Sequence, residues 1–164
     1  MAQISEIIIR PIQPEDNSAV ADIIRKTLTE FGVAREGTVF YDPETDHLYE
    51  LFKKPKSCYF VAEKQGKILG GGGVFPTEGL PEDTCELVKM YLLPEARGIG
   101  LGKALMEKCF EAARKFGFKQ IYLETLDELH LALKIYARFG FGYLKAPLGN
   151  TKHFGCGLWM LTKL

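Results

Sequence analysis

Residues 94–105 read PEARGIGLGKAL. Three glycines, Gly98, Gly100 and Gly102, alternate with other residues just behind Arg97. Upstream, Cys85 to Leu93 reads as strand. Downstream, Gly100 to Phe116 reads as helix, with Leu101, Leu105, Cys109, Ala112, Ala113 and Phe116 on one stripe and Gly117 to close it. Glycines at a strand-to-helix junction bare backbone N–H groups in front of a positive helix end. The stretch therefore predicts an anion cradle.

Working outward, Glu6 to Ile12 is a short β-branched strand, and Asp16 to Phe31 carries apolar residues at helical spacing. Asp42 and Pro43 look like the N-cap and first position of a short helix through Leu48, Leu51 and Phe52. Cys58 to Ala62 and Lys67 to Phe75 read as a hairpin turning at Lys64-Gln65-Gly66. Cys85 to Leu93 is apolar at even positions (Val88, Met90, Leu92) and at odd ones (Leu87, Tyr91, Leu93), the mark of a strand covered on both faces. Gln120 to Thr125 is a strand, and Asp127 can cap a helix running to Phe139. Phe141 to Leu144 and Gly157 to Leu164 finish the pattern. The order predicts a single α/β domain over residues 1–164, a mixed sheet with helices on both faces.

With 164 residues, 46% apolar and 26% charged, the chain has globular composition. Lys plus Arg equals Asp plus Glu, 21 against 21, which argues against a nucleic-acid surface or a polybasic membrane surface. No apolar run approaches the roughly 20 residues of a membrane span. Cys58, Cys85, Cys109 and Cys156 form no C-x-x-C pair, so neither zinc nor a redox motif is expected. Reduced thiols and the absence of a leader pattern suggest a cytoplasmic protein.

Three cradles compete for the anion. A Walker loop needs Ser or Thr after Gly-Lys to hold magnesium, but Ala104 follows Gly102-Lys103. A dinucleotide fingerprint needs G-x-G-x-x-G; the spacing here is one residue short, although Glu124 sits where its acidic partner would. The third matches: Arg97-Gly98-Ile99-Gly100-Leu101-Gly102 resembles the R/Q-x-x-G-x-G/A signature of the GCN5-related N-acetyltransferases (GNAT superfamily). MYLLPEARG and IYARFGF extend that likeness over nearly the whole chain. The resemblance implies a mostly antiparallel central sheet and an acetyl-CoA-dependent N-acetyltransferase with no metal. The alternative is a non-catalytic acyl-CoA-binding protein of the same fold. The acceptor would be an amine of a small molecule, amino acid or peptide, and a homodimer is open.

By the same resemblance, residues Arg97 through Lys103 would hold the pyrophosphate, with Leu92, Leu93 and Leu129 as neighbours of the rest of the cofactor. Leu129 stands where relatives often carry an asparagine. Tyr136, in the stretch Ala132 through Phe141, would reach the coenzyme sulfur as acid. Two carboxylates compete as base. Glu86 is the lone charge on a face with Val88, Met90 and Leu92, so burial should raise its pKa; Glu124 closes the next strand. The bland alternative for each is pairing with a neighbour such as Lys89. His153 would lie beside the acceptor, and with Cys156 it forms a weak candidate for a Cys–His nucleophile. The run Gly70 to Gly73 fits either close backbone packing or clearance for the acceptor.

Overall fold

The computed structural model describes residues 4–164. Strands β1 (Ile8–Pro11), β2 (Cys58–Lys64), β3 (Lys67–Phe75), β4 (Thr84–Leu92), β5 (Gln120–Thr125), β6 (Gly142–Tyr143) and β7 (Leu158–Lys163) form one sheet in the order β1-β2-β3-β4-β5-β7-β6. Every neighbouring pair is antiparallel except β4 and β5. Helices α1 (Asn17–Glu30) and α2 (Leu48–Leu51) lie on one face; α3 (Leu101–Lys115) and α4 (His130–Arg138) lie on the other.

The helical spacing explains the two layers. α1 buries Val20, Ile23, Ile24 and Leu28 against Tyr59 and Val61 of the sheet. α3 buries Leu105, Met106, Cys109 and Phe110 against residues such as Leu69, Cys85 and Leu87. Each such side chain contributes about 1.5–3 kcal/mol on burial. All four cysteines are free. No helix among the described residues is long and apolar enough to cross a membrane.

The glycine run of β3 is a packing feature. Tyr59 lies across Gly71 and Gly73 on the α1 face, where a Cβ at Gly71 would stand 2.6 Å from its ring. Met90 and Leu92 lie across Gly72 and Gly70 on the opposite face. Close approach from both sides leaves no room for side chains on this strand.

β4 departs from regular alternation. Val88 pairs with Gly73 and Tyr91 with Gly71, so Lys89 and Met90 together oppose Gly72. This is a bulge, and Lys89 takes a left-handed backbone with φ 54°. It corrects the expected face of Glu86. Val88 stays on the Glu86 side, which faces α1, but Met90 and Leu92 turn to α3 and Tyr91 takes their place there.

Several boundaries also move. β1 is shorter than expected, with a 3-10 turn at Ile4–Glu6 before it. The short helix after Asp42 splits into a 3-10 turn, Pro43–Asp46, and the single turn of α2; Asp42 makes no side-chain cap. α4 begins at His130 rather than at Asp127, because Leu126 is drawn into the α1-side core and holds the chain out of helix for another turn. The strand expected at Phe141 to Leu144 contracts to β6, while Phe141 is buried in the α3-side core.

Candidate active site

β4 and β5 pair only at Thr84–Gln120, Cys85–Ile121 and Glu86–Tyr122. Beyond Glu86 they part, because β5 stays paired with β7 out to Thr125 while β4 follows β3. One edge of β4 from Leu87 to Leu92 is thus left without a strand partner. A cleft of about 880 Å³ fills the gap, walled by β4, β5, the N-terminus of α3 and α4.

The cleft meets the glycine loop at the start of α3. Gly98 (φ 75°) and Gly100 (φ 88°) adopt left-handed backbones that place the loop ahead of the helix. From Gly98 through Lys103, no backbone N–H has a hydrogen-bond partner among the described residues. Unpaired amides at the positive end of a 15-residue helix form a cradle suited to an anion. Gly102 permits α4 to approach: a Cβ there would lie 2.9 Å from Ile135 Cδ1.

The residues expected at this end divide into two groups. Leu92, Arg97, Gly98, Gly100, Gly102 and Lys103 line the cleft. The side chains of Leu93, Ile99 and Leu101 instead join the hydrophobic clusters, so what these three can offer is backbone. The Arg97 guanidinium is engaged elsewhere. It forms a fork on Glu30 at 2.7 and 3.1 Å and donates to the Leu92 carbonyl at 2.9 Å, bracing the end of α1 against the end of β4. Lys103 is exposed at the mouth.

At the other end, Glu86 is buried and accepts a 2.5 Å hydrogen bond from the Thr77 hydroxyl. Burial pushes its carboxyl up to about 7, with Glu124 adding repulsion and Thr77 pulling the other way. The alternative reading, a pair with Lys89, is not what forms, since Glu86 takes Thr77 as its partner. Glu124 accepts from Tyr122 Oη at 2.6 Å and from the Thr151 hydroxyl; Tyr122 Oη accepts the Leu148 N–H at 3.0 Å. These bonds dock the late loop against β5. His153 Nε2 sits 2.6 Å from Asp42.

One polar atom from each of Glu86, Glu124 and His153 lies within 4.8 Å of the others. The structure thus brings together three residues that the sequence offered as separate candidates. Both Glu124 oxygens and His153 Nε2 already have hydrogen-bond partners.

Tyr136 projects from α4 with its ring edge-on to Phe141, centroids 5.9 Å apart. Its hydroxyl makes no hydrogen bond among the described residues. No fully buried side-chain polar atom there lacks a partner, so this hydroxyl opens into the cleft it lines. Burial raises its pKa and keeps it protonated. Leu129 lines the cleft with apolar surface. The Cys156 thiol is pushed up to about 12 by burial, with Glu124 and Glu86 adding to the shift, and His153 turns to Asp42. The Cys–His nucleophile reading is corrected on that geometry.

Sequence reasoning missed Thr77, Tyr122 and Thr151, the hydroxyls that hold the two glutamates. Nothing local marks them, since each meets its carboxylate through strand register or loop docking. Lys89 did carry a signal, being the one cation in a largely apolar strand.

An antiparallel sheet that parts at its one parallel pair, with a glycine cradle at the gap, is the arrangement that the resemblance to the GNAT superfamily implied, and the comparisons agree. Residues 20–141 match the model of the acetyltransferase (GNAT) family. The uncharacterized N-acetyltransferase YjgM of Escherichia coli K12 is 41% identical over 158 residues, covering 96% of this chain and 95% of that protein. A GNAT-family acetyltransferase from Staphylococcus aureus Mu50 superposes with a TM-score of 0.85 at 19% identity, covering 96% of this chain and 98% of that one. The protein yncA of Salmonella typhimurium, solved with its cofactor acetyl-CoA, gives 0.74 at 19% identity, covering 96% and 94%. The chain belongs to the GNAT family of acetyltransferases.

Proposed function

We propose that residues 1–164 form one acetyl-CoA-dependent N-acetyltransferase domain that acetylates a primary amine by direct transfer. One observation carries the reading. A single cleft joins the free amides of the glycine loop to the cluster of Glu86, Glu124 and His153, with Tyr136 on its wall. The fit to coenzyme A rests on those amides and on the wedge between β4 and β5. The presence of acetyl-CoA in the Salmonella neighbour supports it.

The bound thioester supplies an acetyl group whose carbon forms a bond to the amine nitrogen as its bond to sulfur breaks. Backbone N–H groups of Gly98 through Lys103 receive the pyrophosphate, and the free edge of β4 runs alongside the pantetheine arm. Glu86, with a carboxyl poised at about 7, takes the proton that the amine must lose. Glu124 is the second candidate for that role. Tyr136, protonated and open to the cleft, gives a proton to the departing thiolate. Leu92, Leu129 and Ile135 keep the gap apolar, which strengthens each of these interactions. Four free, scattered cysteines fit a reducing cytoplasm.

The test is thiol release from acetyl-CoA by the purified protein across a panel of amines. Turnover on an amine, with the N-acetyl product confirmed by mass, supports the enzyme. Tight coenzyme A binding with no turnover on any amine favours the non-catalytic acyl-CoA-binding alternative.

A further inference from the structure

β4 carries two charged residues, Glu86 and Lys89, and only Glu86 has a partner. Among the described residues, the Lys89 ammonium makes no hydrogen bond and no ion pair. Since no fully buried side-chain polar atom lacks a partner, it opens into the cleft whose wall it lines.

Its placement is built into the sheet. The left-handed backbone at φ 54° strains a residue with a side chain. The bulge is held from behind by Tyr59 Oη, which donates to the Lys89 carbonyl at 2.7 Å. Gly71 and Gly73 allow Tyr59 to reach that far. Regular alternation from Val88 would send Lys89 toward α3. The bulge instead sets it among Asp42, Glu86 and Glu44, the acids that act on it.

A desolvated ammonium without a counter-ion is costly. Burial lowers its pKa while the three acids oppose that shift. The coenzyme pyrophosphate is an unsuitable partner, because the free amides at the start of α3 already provide for it. A dianion would also be repelled by the acids around the lysine. A zwitterion fits: its amine meets Glu86 and Glu124, and its carboxylate meets the Lys89 ammonium, the cation on the same strand as Glu86.

We propose that Lys89 recognises a carboxylate on the acceptor, so that the substrate is an amino acid or a short peptide with a free C-terminus. This rests on the acetyltransferase reading above and narrows its substrate class. Lysine suits the role as a point charge on a flexible stem, which accepts a carboxylate without demanding a two-pronged geometry.

The experiment compares free amino acids with their carboxamides, and dipeptides with their C-terminal amides, as acceptors for the wild type, Lys89→Met and Lys89→Arg. A charge-assisted contact of this kind is worth roughly 10- to 100-fold. The wild type should therefore favour the acid member of each pair by at least about tenfold in kcat/KM. Lys89→Met should bring that ratio close to one, chiefly through KM, and Lys89→Arg should restore much of it. Preference confined to the free amino acids, or to the dipeptides, identifies the source of the carboxylate. Equal use of acid and amide by the wild type, or an unchanged ratio in Lys89→Met, overturns the proposal while leaving the acetyltransferase reading intact.

A second readout does not depend on turnover. With coenzyme A saturating, N-acetyl amino acids should raise the melting temperature of the wild type, their amides should not, and Lys89→Met should respond to neither. Equal shifts from acid and amide overturn the carboxylate site. If no amine is acetylated yet the carboxylate-specific shift is present, the site stands and the catalytic reading falls. Should Lys89→Met fail to fold, the wild-type and Lys89→Arg ratios decide alone.

Discussion

His153 Nε2 and the Asp42 carboxylate meet at 2.6 Å, although 111 positions separate them in the chain. The contact joins the loop before α2 to the loop before β7. A backbone bond from Gly155 N–H to the Gly37 carbonyl at 2.9 Å reinforces it. Together they form the wall facing Glu86 and Glu124. Asp42→Asn should therefore raise KM for the acceptor several-fold while leaving the coenzyme A-induced rise in melting temperature unchanged. A loss of coenzyme binding in this variant would show that the wall serves the cofactor instead.

Glu86, its carboxyl pushed up to about 7 by burial, should set the acidic limb of the pH–rate profile. Glu86→Gln should remove that limb along with most of the rate. Thr77→Val should move the limb upward, because the Thr77 hydroxyl stabilises the ionised form. If Glu124→Gln loses the limb and Glu86→Gln keeps it, the two carboxylates exchange roles.

The same group should tilt stability. Its native pKa of about 7 exceeds the ordinary 4.5, so the native state holds the proton after the unfolded chain has released it. Glu86 therefore costs nothing below about pH 4.5, and stability declines as pH rises from about 4.5 to 7. The loss is at most about 3 kcal/mol. Urea unfolding at pH 5 and pH 8 should show Glu86→Gln gaining relative to the wild type at the higher pH. A difference independent of pH would mean that Glu86 is ionised on both sides of the range.

Tyr136→Phe should lower kcat by on the order of 10²-fold with coenzyme A affinity nearly unchanged, since an acid on the leaving thiolate acts only in the transition state. Its hydroxyl has no internal partner, so stability should change little. Wild-type turnover in this variant would assign protonation of the thiolate to water.

Coenzyme A at 100 times its Kd should stabilise the fold by about 2.7 kcal/mol, whereas NAD and ATP with magnesium should not. Gly100→Val should abolish the effect, because φ of 88° disfavours a side chain and the branched group shields the amides. Equal stabilisation by NAD would favour a dinucleotide site.

Gly71→Ala should destabilise by about 1–3 kcal/mol or more, because the new methyl meets the Tyr59 ring and the Phe60 carbonyl at 2.6 Å. Equilibrium unfolding measures it directly. A neutral result would mean that Tyr59 can swing away, which should also release the bulge at Lys89.

The alternation of glycines behind Arg97, the stripe of α3 and the hairpin of β2 and β3 were legible from residues 58–116 alone, because helical period, turn chemistry and strand composition act over a few neighbours. Tyr136 and the two glutamates were legible as chemical types at family positions. What they face was not. Whether Met90 shares a face with Glu86 depended on one extra residue at Lys89, and that bulge is set by Tyr59 reaching across a neighbouring strand. Arg97 was expected to meet an anion from outside but meets Glu30, 67 positions away. The grip of Thr77 on Glu86 and of Asp42 on His153 likewise arises only when strands take their register and the two loops dock. Such contacts join distant segments through the packed sheet, and no local pattern encodes their pairing.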